Sequence, residues 1–495
     1  ATVRAYIDSL EQEIDSARAR NAALERRTEQ LTEELQRALF RRFGRSSEVE
    51  RREDDQHQLF AEAEAYSTEP DDAEPEEETI TVEKHSRVKP GRKPIGEHVP
   101  RIEIRHDIEE AEKHCGCGAE LTHIGDEVSE RVVAIPEQVY AERHVRPKYA
   151  CHTCEGSGDE EHAAVRIAPA PAALIRGSIA TPALVAFIAT NKFVDHLPLY
   201  RQEQRFARIG VEISRADMSN WLVAMGRRLV PLAGKFREAI REGPVIQMDE
   251  TPVQVLREPG RANTTKSYMW LARGGPPEAP VYLYRYSPTR GPDAPRELLS
   301  DYHGYVQADG YSVYTRLIDG ESGITQVGCW AHARRRFFEA QKASKKVGAA
   351  AEGLKHIDAL FRTERTLREK ELSPQEFLRE RRREVEPLLG KFKRWLTKKS
   401  ETVLPSSLLG KAVAYTLSEW DHLIAYLEHS DLTPDNNAAE RAIRPFVVGR
   451  KNWLFAGSPG GAEASSTLYS LIETAKANGL NPYGYLHYVF SRLPE

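Results

Sequence analysis

The chain of 495 residues lacks the long apolar runs of a membrane protein. No uninterrupted hydrophobic segment approaches the roughly 20 residues that a membrane-spanning helix needs, and 29% of the residues are charged. The opening segment, ATVRAYIDSL, has no basic stretch followed by an apolar one, so it indicates no secretory signal. We therefore expect a soluble cytoplasmic protein without a membrane partner.

Cysteine is also scarce, and five cysteines in so long a chain exclude a disulfide framework. Four of them form two close pairs, which predicts a structural zinc ion in a small module. The first pair is spaced more narrowly than is usual for zinc ligands, so His114 and His152 are alternative ligands. Partly buried free thiols are the alternative to a metal site. The four predicted zinc ligands are Cys115, Cys117, Cys151 and Cys154.

The first 43 residues carry a heptad pattern. Apolar residues recur at alternating spacings of four and three from Val3 to Ala38, over five repeats. Such a pattern predicts a parallel coiled coil, and a lone Asn21 at a core position favours two strands. We expect a homodimer through this helix. An amphipathic helix packed on its own domain is the alternative.

Charge is strongly segregated along the chain, although the net charge is only −5. Between Glu48 and Glu78 there are fourteen acidic residues and two basic ones, which predicts an acidic linker whose second half is disordered. The charge reverses in the turn that contains Arg92 and Lys93, whose side chains suit a narrow DNA minor groove.

Residues 178–240 have the pattern of several helices. One helix ends near Gly210, and another begins after Ser214, a candidate N-cap, which matches a helix-turn-helix. In that arrangement Arg215, Ser219 and Asn220 would lie on the exposed face of a recognition helix. An ordinary helical hairpin is the alternative.

From residue 244 the pattern changes to strands. Three short segments rich in β-branched and aromatic residues precede a helical stretch and a fourth strand, and this βββαβ order is typical of a ribonuclease-H-like sheet. Asp249 lies within the first apolar strand, and Asp309 ends the fourth. A buried carboxylate is costly unless a cation offsets its desolvation. We therefore expect the two aspartates to meet at a metal site.

A third carboxylate is expected on a helix that faces the sheet. Glu440 fits, with Asp435 as the candidate N-cap, and Glu463 is a competing choice. Three carboxylates can hold two Mg²⁺ or Mn²⁺ ions for phosphoryl transfer. Basic residues nearby are expected to bind DNA phosphates, with a solvated basic face as the alternative: Arg334, Arg335, Arg336, Arg441, Arg444, Arg450 and Lys451.

Asp309 and Glu440 are 131 positions apart, against 60 between the two aspartates. This distance predicts a helical insertion. The segments QMDETPVQVL, YVQADGYSVY, CWAHARRRF and NNAAERAIRPFVVGRKNWLFAGSPGGAEASSTLYSLIETAKANGLNPYGYL resemble the large transposase of the insertion-sequence-66 family. Cys329 and His332 resemble a CxxH element of several transposase groups, and we interpret them as structural or DNA-positioning.

The resemblance covers nearly the whole chain. It implies that Asp249, Asp309 and Glu440 are a DDE triad, that double-stranded transposon ends and target DNA are the partners, and that accessory transposition proteins assist. It also implies a place in the bacterial cytoplasm near the nucleoid. A DNA-binding regulator with an inactive sheet, or a ribonuclease-H-type nuclease without joining activity, are the competing functions.

These observations predict an α+β multidomain protein. Its segments are a coiled-coil helix (1–43), an acidic linker (44–90), a zinc module with the basic turn (91–165), a helix-turn-helix region (170–240), the first part of a ribonuclease-H-like core (241–339), a helical insertion (340–430) and the region of the catalytic glutamate (431–495).

Overall fold

The computed structural model describes residues 139–150, 165–311, 313–314, 323–343 and 348–493. The chain divides into two compact units, one of which is Glu48–Val145. In that unit the described residues 139–145 are exposed and have no regular secondary structure. The predicted coiled coil, the acidic linker, the basic turn and the four zinc-module cysteines lie outside the described residues.

The described part of the larger unit begins with two short strands and four helices. Strand β1 (Lys148–Ala150) pairs antiparallel with β2 (Val165–Ile167). The helices are α1 (Pro182–Phe193), α2 (Leu199–Arg208), α3 (Arg215–Arg228) and α4 (Val230–Ile240). The Ser214 hydroxyl accepts the backbone N–H of Asp217 at 3.1 Å, so Ser214 caps α3 as the sequence predicts.

A mixed sheet follows. Strands β3 (Val245–Val255), β4 (Lys266–Gly274) and β5 (Val281–Ser287) form an antiparallel meander. Helix α5 (Asp293–Leu299) leads to β6 (Gly304–Gln307), which pairs parallel with β3. Strand β7 (Ile324–Val327) then pairs parallel with β6, which gives the order β5-β4-β3-β6-β7. The βββαβ order is confirmed, whereas β7 was not predicted.

Five helices after β7 surround a second hydrophobic core. They are α6 (Trp330–Ala343), α7 (Ala349–Arg368), α8 (Pro374–Thr402), α9 (Leu408–Ser418) and α10 (Trp420–Ile424). Phe337 and Phe392 are buried in this core. Its buried Arg381 is paired with Glu364 at 2.7 Å, which compensates both charges. Although α8 has 29 residues, no helix in the described ranges is long and apolar enough to cross a membrane.

The chain closes with α11 (Asn437–Trp453), a two-residue strand β8 (Phe455–Ala456) beside β3, α12 (Pro459–Ala477) and α13 (Pro482–Arg492). Helix α12 packs against β5. Its Ser470 and Thr474 hydroxyls accept the backbone N–H groups of Tyr284 at 2.8 Å and Tyr282 at 3.0 Å. These side chains satisfy donors on an outer strand that would otherwise lack a partner.

The side chains of β3 alternate between two covered faces. Val253 and Val255 lie in a core with residues of α11 and α12, whereas Ile246 and Met248 lie in a core with residues of α5. Because strand side chains alternate with a period of two, Asp249 belongs to the α11 face.

The contact between α3 and α12 predicts a sharp effect at one glycine. A Cβ at Gly226 would lie 2.5 Å from the Ala464 Cα, a backbone position that cannot yield cheaply. We expect Gly226→Ala to lower the free energy of unfolding by about 1–3 kcal/mol.

Gly234→Ala is the matched control, because a Cβ at this helical glycine meets nothing within 4 Å. It should raise the free energy of unfolding by up to about 1 kcal/mol. Thermal and urea unfolding of the full chain measure both effects. Equal stability of the two variants would contradict the packing described for α3 and α12.

Candidate active site

Asp249 lies within β3, and Asp309 follows the end of the neighbouring parallel strand β6. Strands β3 and β6 pair with Gln247 opposite Gln307, and each aspartate stands two residues further along. Side chains two residues apart share a face, and paired strands lie about 4.8 Å apart. The two carboxylates are therefore neighbours on the face that α11 covers.

Asp249 lies in a crowded acidic environment. Its pKa is raised to about 8, first by burial and then by the negative charge of Glu250, with smaller contributions from Glu440 and Asp309. The backbone N–H of Glu250 donates to Asp249 Oδ1 at 2.9 Å, and this hydrogen bond lowers the pKa of Asp249. Carboxylates that repel each other in a buried place are a favourable setting for cations.

Glu440 enters this environment from the first turn of α11. Ala439 and Ile443, on either side of it, are buried in the core shared with β3 and β4, so α11 faces the sheet. Its carboxylate lies 3.9 Å from the Arg335 guanidinium. Asp249, Asp309 and Glu440 do not all place ligand atoms within 4.8 Å of one another in this structure.

The loop before α11 is tied to the sheet by Asn436. Its buried side-chain amide donates to the Met248 carbonyl of β3 at 2.7 Å, and its backbone N–H donates to Cys329 Sγ at 3.3 Å. Asn436, not the predicted Asp435, is therefore the N-cap position, and its side chain makes no capping bond. Asp435 accepts the backbone N–H of Asn437 at 3.1 Å instead.

A series of hydrogen bonds links β4, β3, β6 and the loop before α11, two residues before each aspartate. Gln247 donates to Gln307 at 2.8 Å, and Gln307 donates to the Thr433 carbonyl at 2.7 Å. Arg273 donates to Gln247 at 2.7 Å. The sequence analysis missed these residues. Their signal is a glutamine two positions before each aspartate, inside an otherwise apolar strand.

Glu250 is a further acidic residue that the sequence analysis did not single out. It accepts the Tyr314 hydroxyl at 2.7 Å and Arg290 Nε at 2.9 Å, and its side chain is 4% exposed. Burial and the charge of Asp309 raise its pKa, whereas the bonds from Arg290 and Tyr314 lower it. With both oxygens engaged, Glu250 positions the strand beside Asp249.

Helix α9 reaches the turn that follows β6. A Cβ at Gly310 would lie 2.9 Å from the Tyr415 hydroxyl oxygen and 3.3 Å from the Glu419 carboxyl carbon. Since a side chain would have to displace these groups, glycine permits the close approach. The helices between β7 and α11 thus contact the residue next to Asp309.

Cys329 and His332 lie beside Glu440 at the start of α6. The ligand atoms of these three residues lie within 4.8 Å of one another. Burial raises the pKa of the Cys329 thiol to about 12. Burial also lowers the pKa of His332, whereas Glu440 and Asp309 raise it. The structure thus places a third possible ligand, the Glu440 carboxylate, beside Cys329 and His332.

The predicted DNA-binding residues fall into two groups. The first group lies on exposed surface of α3 and α11: Arg215, Ser219, Asn220, Arg441, Arg444 and Lys451. The second group contacts protein groups, although Arg335 and Arg336 are exposed too: Arg334 pairs with Asp358 at 2.8 Å, Arg335 approaches Glu440, Arg336 stacks on Tyr415, and Arg450 donates to Thr251 at 3.1 Å. Arg92 and Lys93 lie outside the described residues.

Removal of the Asn436 side chain tests how the loop is held. Asn436→Ala leaves the Met248 carbonyl buried without this donor, and we expect a loss of about 1–3 kcal/mol in the free energy of unfolding. Asn452→Ala, an exposed change on the same helix, should alter stability by less than about 0.5 kcal/mol. Calorimetry on both variants measures the difference, and an unaffected Asn436→Ala protein would argue against this attachment.

Comparison with known families covers most of the chain. Residues 177–464 match the family described as Transposase IS66 family. Residues 30–104 match Transposase C of IS166 homeodomain, residues 112–155 match the zinc-finger binding domain of transposase IS66, and residues 470–495 match the IS66 C-terminal element. The third match indicates a zinc-binding domain in the region of the paired cysteines.

Two relatives from Sinorhizobium fredii extend the comparison. The uncharacterized protein y4qI is 34% identical over 425 residues, which cover 83% of this chain and 76% of the relative. The uncharacterized protein y4jD is 32% identical over 412 residues, which cover 81% of this chain and 78% of the relative. With its long central match and the three flanking ones in order, the chain belongs to the IS66 family of transposases.

Proposed function

We propose that this transposase cleaves DNA at transposon ends and joins the freed 3′-hydroxyl groups to target DNA, using Asp249, Asp309 and Glu440 as its catalytic carboxylates. The observation that carries the proposal is the approach of these three side chains from distant parts of the chain. Asp249 lies on β3 and Asp309 follows the end of its parallel partner β6, each two residues beyond the Gln247–Gln307 pair, and the charges of Asp309 and Glu440 both act on Asp249.

The sheet supports a ribonuclease-H-like core. Three antiparallel strands, a helix and two parallel strands give the order β5-β4-β3-β6-β7. Asp249 belongs to the central strand β3, Asp309 follows the neighbouring strand β6, and Glu440 comes from a helix on one face. In this proposal the helices from α7 to α10 form an insertion that separates Glu440 from the rest of the core.

The donor set fits magnesium or manganese. All three side chains offer carboxylate oxygens, the ligands that these hard cations prefer. Two bound ions would activate the attacking oxygen and stabilise the leaving one. The protein's own contribution is to hold three repelling carboxylates in place, through the Gln247–Gln307 bond and the Asn436 attachment.

The proposed chemistry has two displacements at phosphorus. In the first, a water oxygen bonds to phosphorus as the bond to the 3′ oxygen breaks, and the transposon end leaves as a 3′-hydroxyl. In the second, that hydroxyl loses its proton and its oxygen bonds to a target phosphate, while the displaced 3′ oxygen of the target strand takes up a proton. No covalent bond to the protein forms.

Exposed cations supply the proposed DNA contacts. Arg441, Arg444 and Lys451 lie on the helix that carries Glu440 and would bind phosphates near the reacting strand. Arg215, Ser219 and Asn220 are exposed on α3, which would act as a recognition helix. Arg92 and Lys93 would add a minor-groove contact.

The remaining N-terminal roles are proposals from the sequence. The paired cysteines 115, 117, 151 and 154 would bind structural zinc. The heptad helix at 1–43 would form the homodimer, and accessory transposition proteins would join the complex.

Replacement of Asp249 tests the proposed triad. Asp249→Asn keeps the shape but removes the charge, and we expect cleavage and joining of labelled transposon ends to fall below about a hundredth of the wild-type rate. Binding of end DNA, measured by gel shift, should persist. Asp301→Asn is the control, because this aspartate is 90% exposed and should retain full activity. Wild-type cleavage by Asp249→Asn would remove Asp249 from the mechanism.

The same assay separates the competing functions. A transposase needs Mg²⁺ for joined products, so a chelator should abolish them. A DNA-binding regulator would bind end DNA equally well in chelator and yield no product with Mg²⁺. A nuclease without strand transfer would release cut ends without joined strands, and either of these results would contradict the proposal.

A paired substitution tests the third carboxylate. Glu440→Gln should reduce joining about as severely as Asp249→Asn, because it removes the charge beside Asp249. Glu463→Gln should keep near wild-type activity, because Glu463 is exposed on α12. Loss of joining in Glu463→Gln, with activity retained in Glu440→Gln, would transfer the role to Glu463.

A further inference from the structure

Cys329, His332 and Glu440 form a compact group with three different donor types. Cys329 directly precedes α6, His332 lies in the first turn of α6, and Glu440 lies in the first turn of α11. The sulfur, nitrogen and oxygen ligand atoms all lie within 4.8 Å of one another, and Cys329 is buried. Two helix starts that are distant in sequence therefore converge on one point.

Two atoms of this group are buried without a hydrogen-bond partner. They are His332 Nδ1 and Glu440 Oε1, which lie 3.8 Å apart. This distance is too long for a hydrogen bond between them. Two ligand atoms on one tetrahedral zinc ion lie about 3.3–3.6 Å apart, given metal–ligand distances of about 2.0–2.3 Å. A small movement of either side chain would let one ion satisfy both atoms.

The sulfur environment also fits a metal-bound thiolate. The backbone N–H of Asn436 donates to Cys329 Sγ at 3.3 Å, which is the type of outer contact that orients a ligand and stabilises its negative charge. A bound ion would take the place of the thiol proton. The same Asn436 holds the loop before α11, so the sulfur and the carboxylate are positioned by one residue.

We propose that Cys329, His332 and Glu440 bind a borderline-soft divalent metal ion such as Zn²⁺, and that this ion inhibits the enzyme by withdrawing Glu440 from the magnesium site. A mixed sulfur, nitrogen and oxygen set selects Zn²⁺ or Co²⁺ over Mg²⁺, which prefers oxygen ligands alone. With three protein ligands, the fourth position is left for water. The inhibitory role rests on the proposed function, whereas the metal site does not.

Cobalt binding tests the site without reference to catalysis. The full-length protein is first given one equivalent of Zn²⁺, enough for the four cysteines of its N-terminal domain and no more, and is then titrated with Co²⁺ and followed by absorption. The wild-type protein should gain one equivalent of Co²⁺ with a thiolate-to-cobalt charge-transfer band. Cys329→Ser and His332→Gln should each lose this band, and excess Mg²⁺ should not displace the ion.

A carboxylate pair provides the matched control. Glu440→Gln should weaken Co²⁺ binding at least tenfold, whereas Glu463→Gln, the same charge change at an exposed position, should leave it unchanged. Circular dichroism checks that each variant is folded. Absence of the band in the wild-type protein overturns the site whatever the variants do, and so does a band that Cys329→Ser retains in full.

Inhibition is measured separately, as joining of transposon ends at fixed Mg²⁺ with increasing Zn²⁺. Joining by each protein is expressed relative to its own activity without zinc. On that scale the half-inhibitory Zn²⁺ concentration of His332→Gln should be at least tenfold higher than that of the wild-type protein. Equal zinc sensitivity in the two proteins would overturn the inhibitory role. A protein that binds Co²⁺ as expected but joins no DNA would contradict the proposed function and leave the metal site standing.

Discussion

The parallel pairing of β3 with β6 decides which carboxylates can meet, because a shift of one residue would turn Asp309 to the opposite face of the sheet from Asp249. The buried hydrogen bond between Gln247 and Gln307 is formed only in the observed register. Hydrophobic burial acts in the same direction, since Val306 and Ala308 are buried on the α5 face. The alternation that buries them turns Asp309 towards α11.

The position of Glu440 depends on contacts between residues that are far apart in the sequence. Glu440 follows a loop whose Thr433 carbonyl accepts from Gln307, and whose Asn436 side chain donates to β3. The helices between β7 and α11 reach the same place, because Tyr415 of α9 lies against Gly310. These helices therefore contact the sheet next to Asp309 as well as connecting β7 to α11. A rearrangement of these helices would therefore act on Asp309 through its neighbour Gly310.

Local patterns predicted the elements but not the contacts between them. Short segments rich in β-branched and aromatic residues predict β3, β4 and β5, a short apolar segment before Asp309 predicts β6, and Ser214 predicts the start of α3, because these signals act over a few residues. The four-residue β7 was missed because ITQV has little pattern of its own. The sequence indicates Asp435 as the cap, because nothing local shows that the Asn436 amide donates to the Met248 carbonyl and fixes the loop at that residue. The proximity of Glu440 to Cys329 and His332 was missed for the same reason, because these residues are distant in the sequence and meet only in the folded chain.

The covering of β5 by α12 has a consequence for assembly. An outermost strand with free backbone donors is a template on which a second chain can continue the sheet. Here hydroxyl groups of Ser470 and Thr474 occupy those donors, and the body of the helix lies over the strand. The occupied donors and the covering helix therefore block a second copy of the chain from continuing the sheet at Tyr282 and Tyr284 of β5.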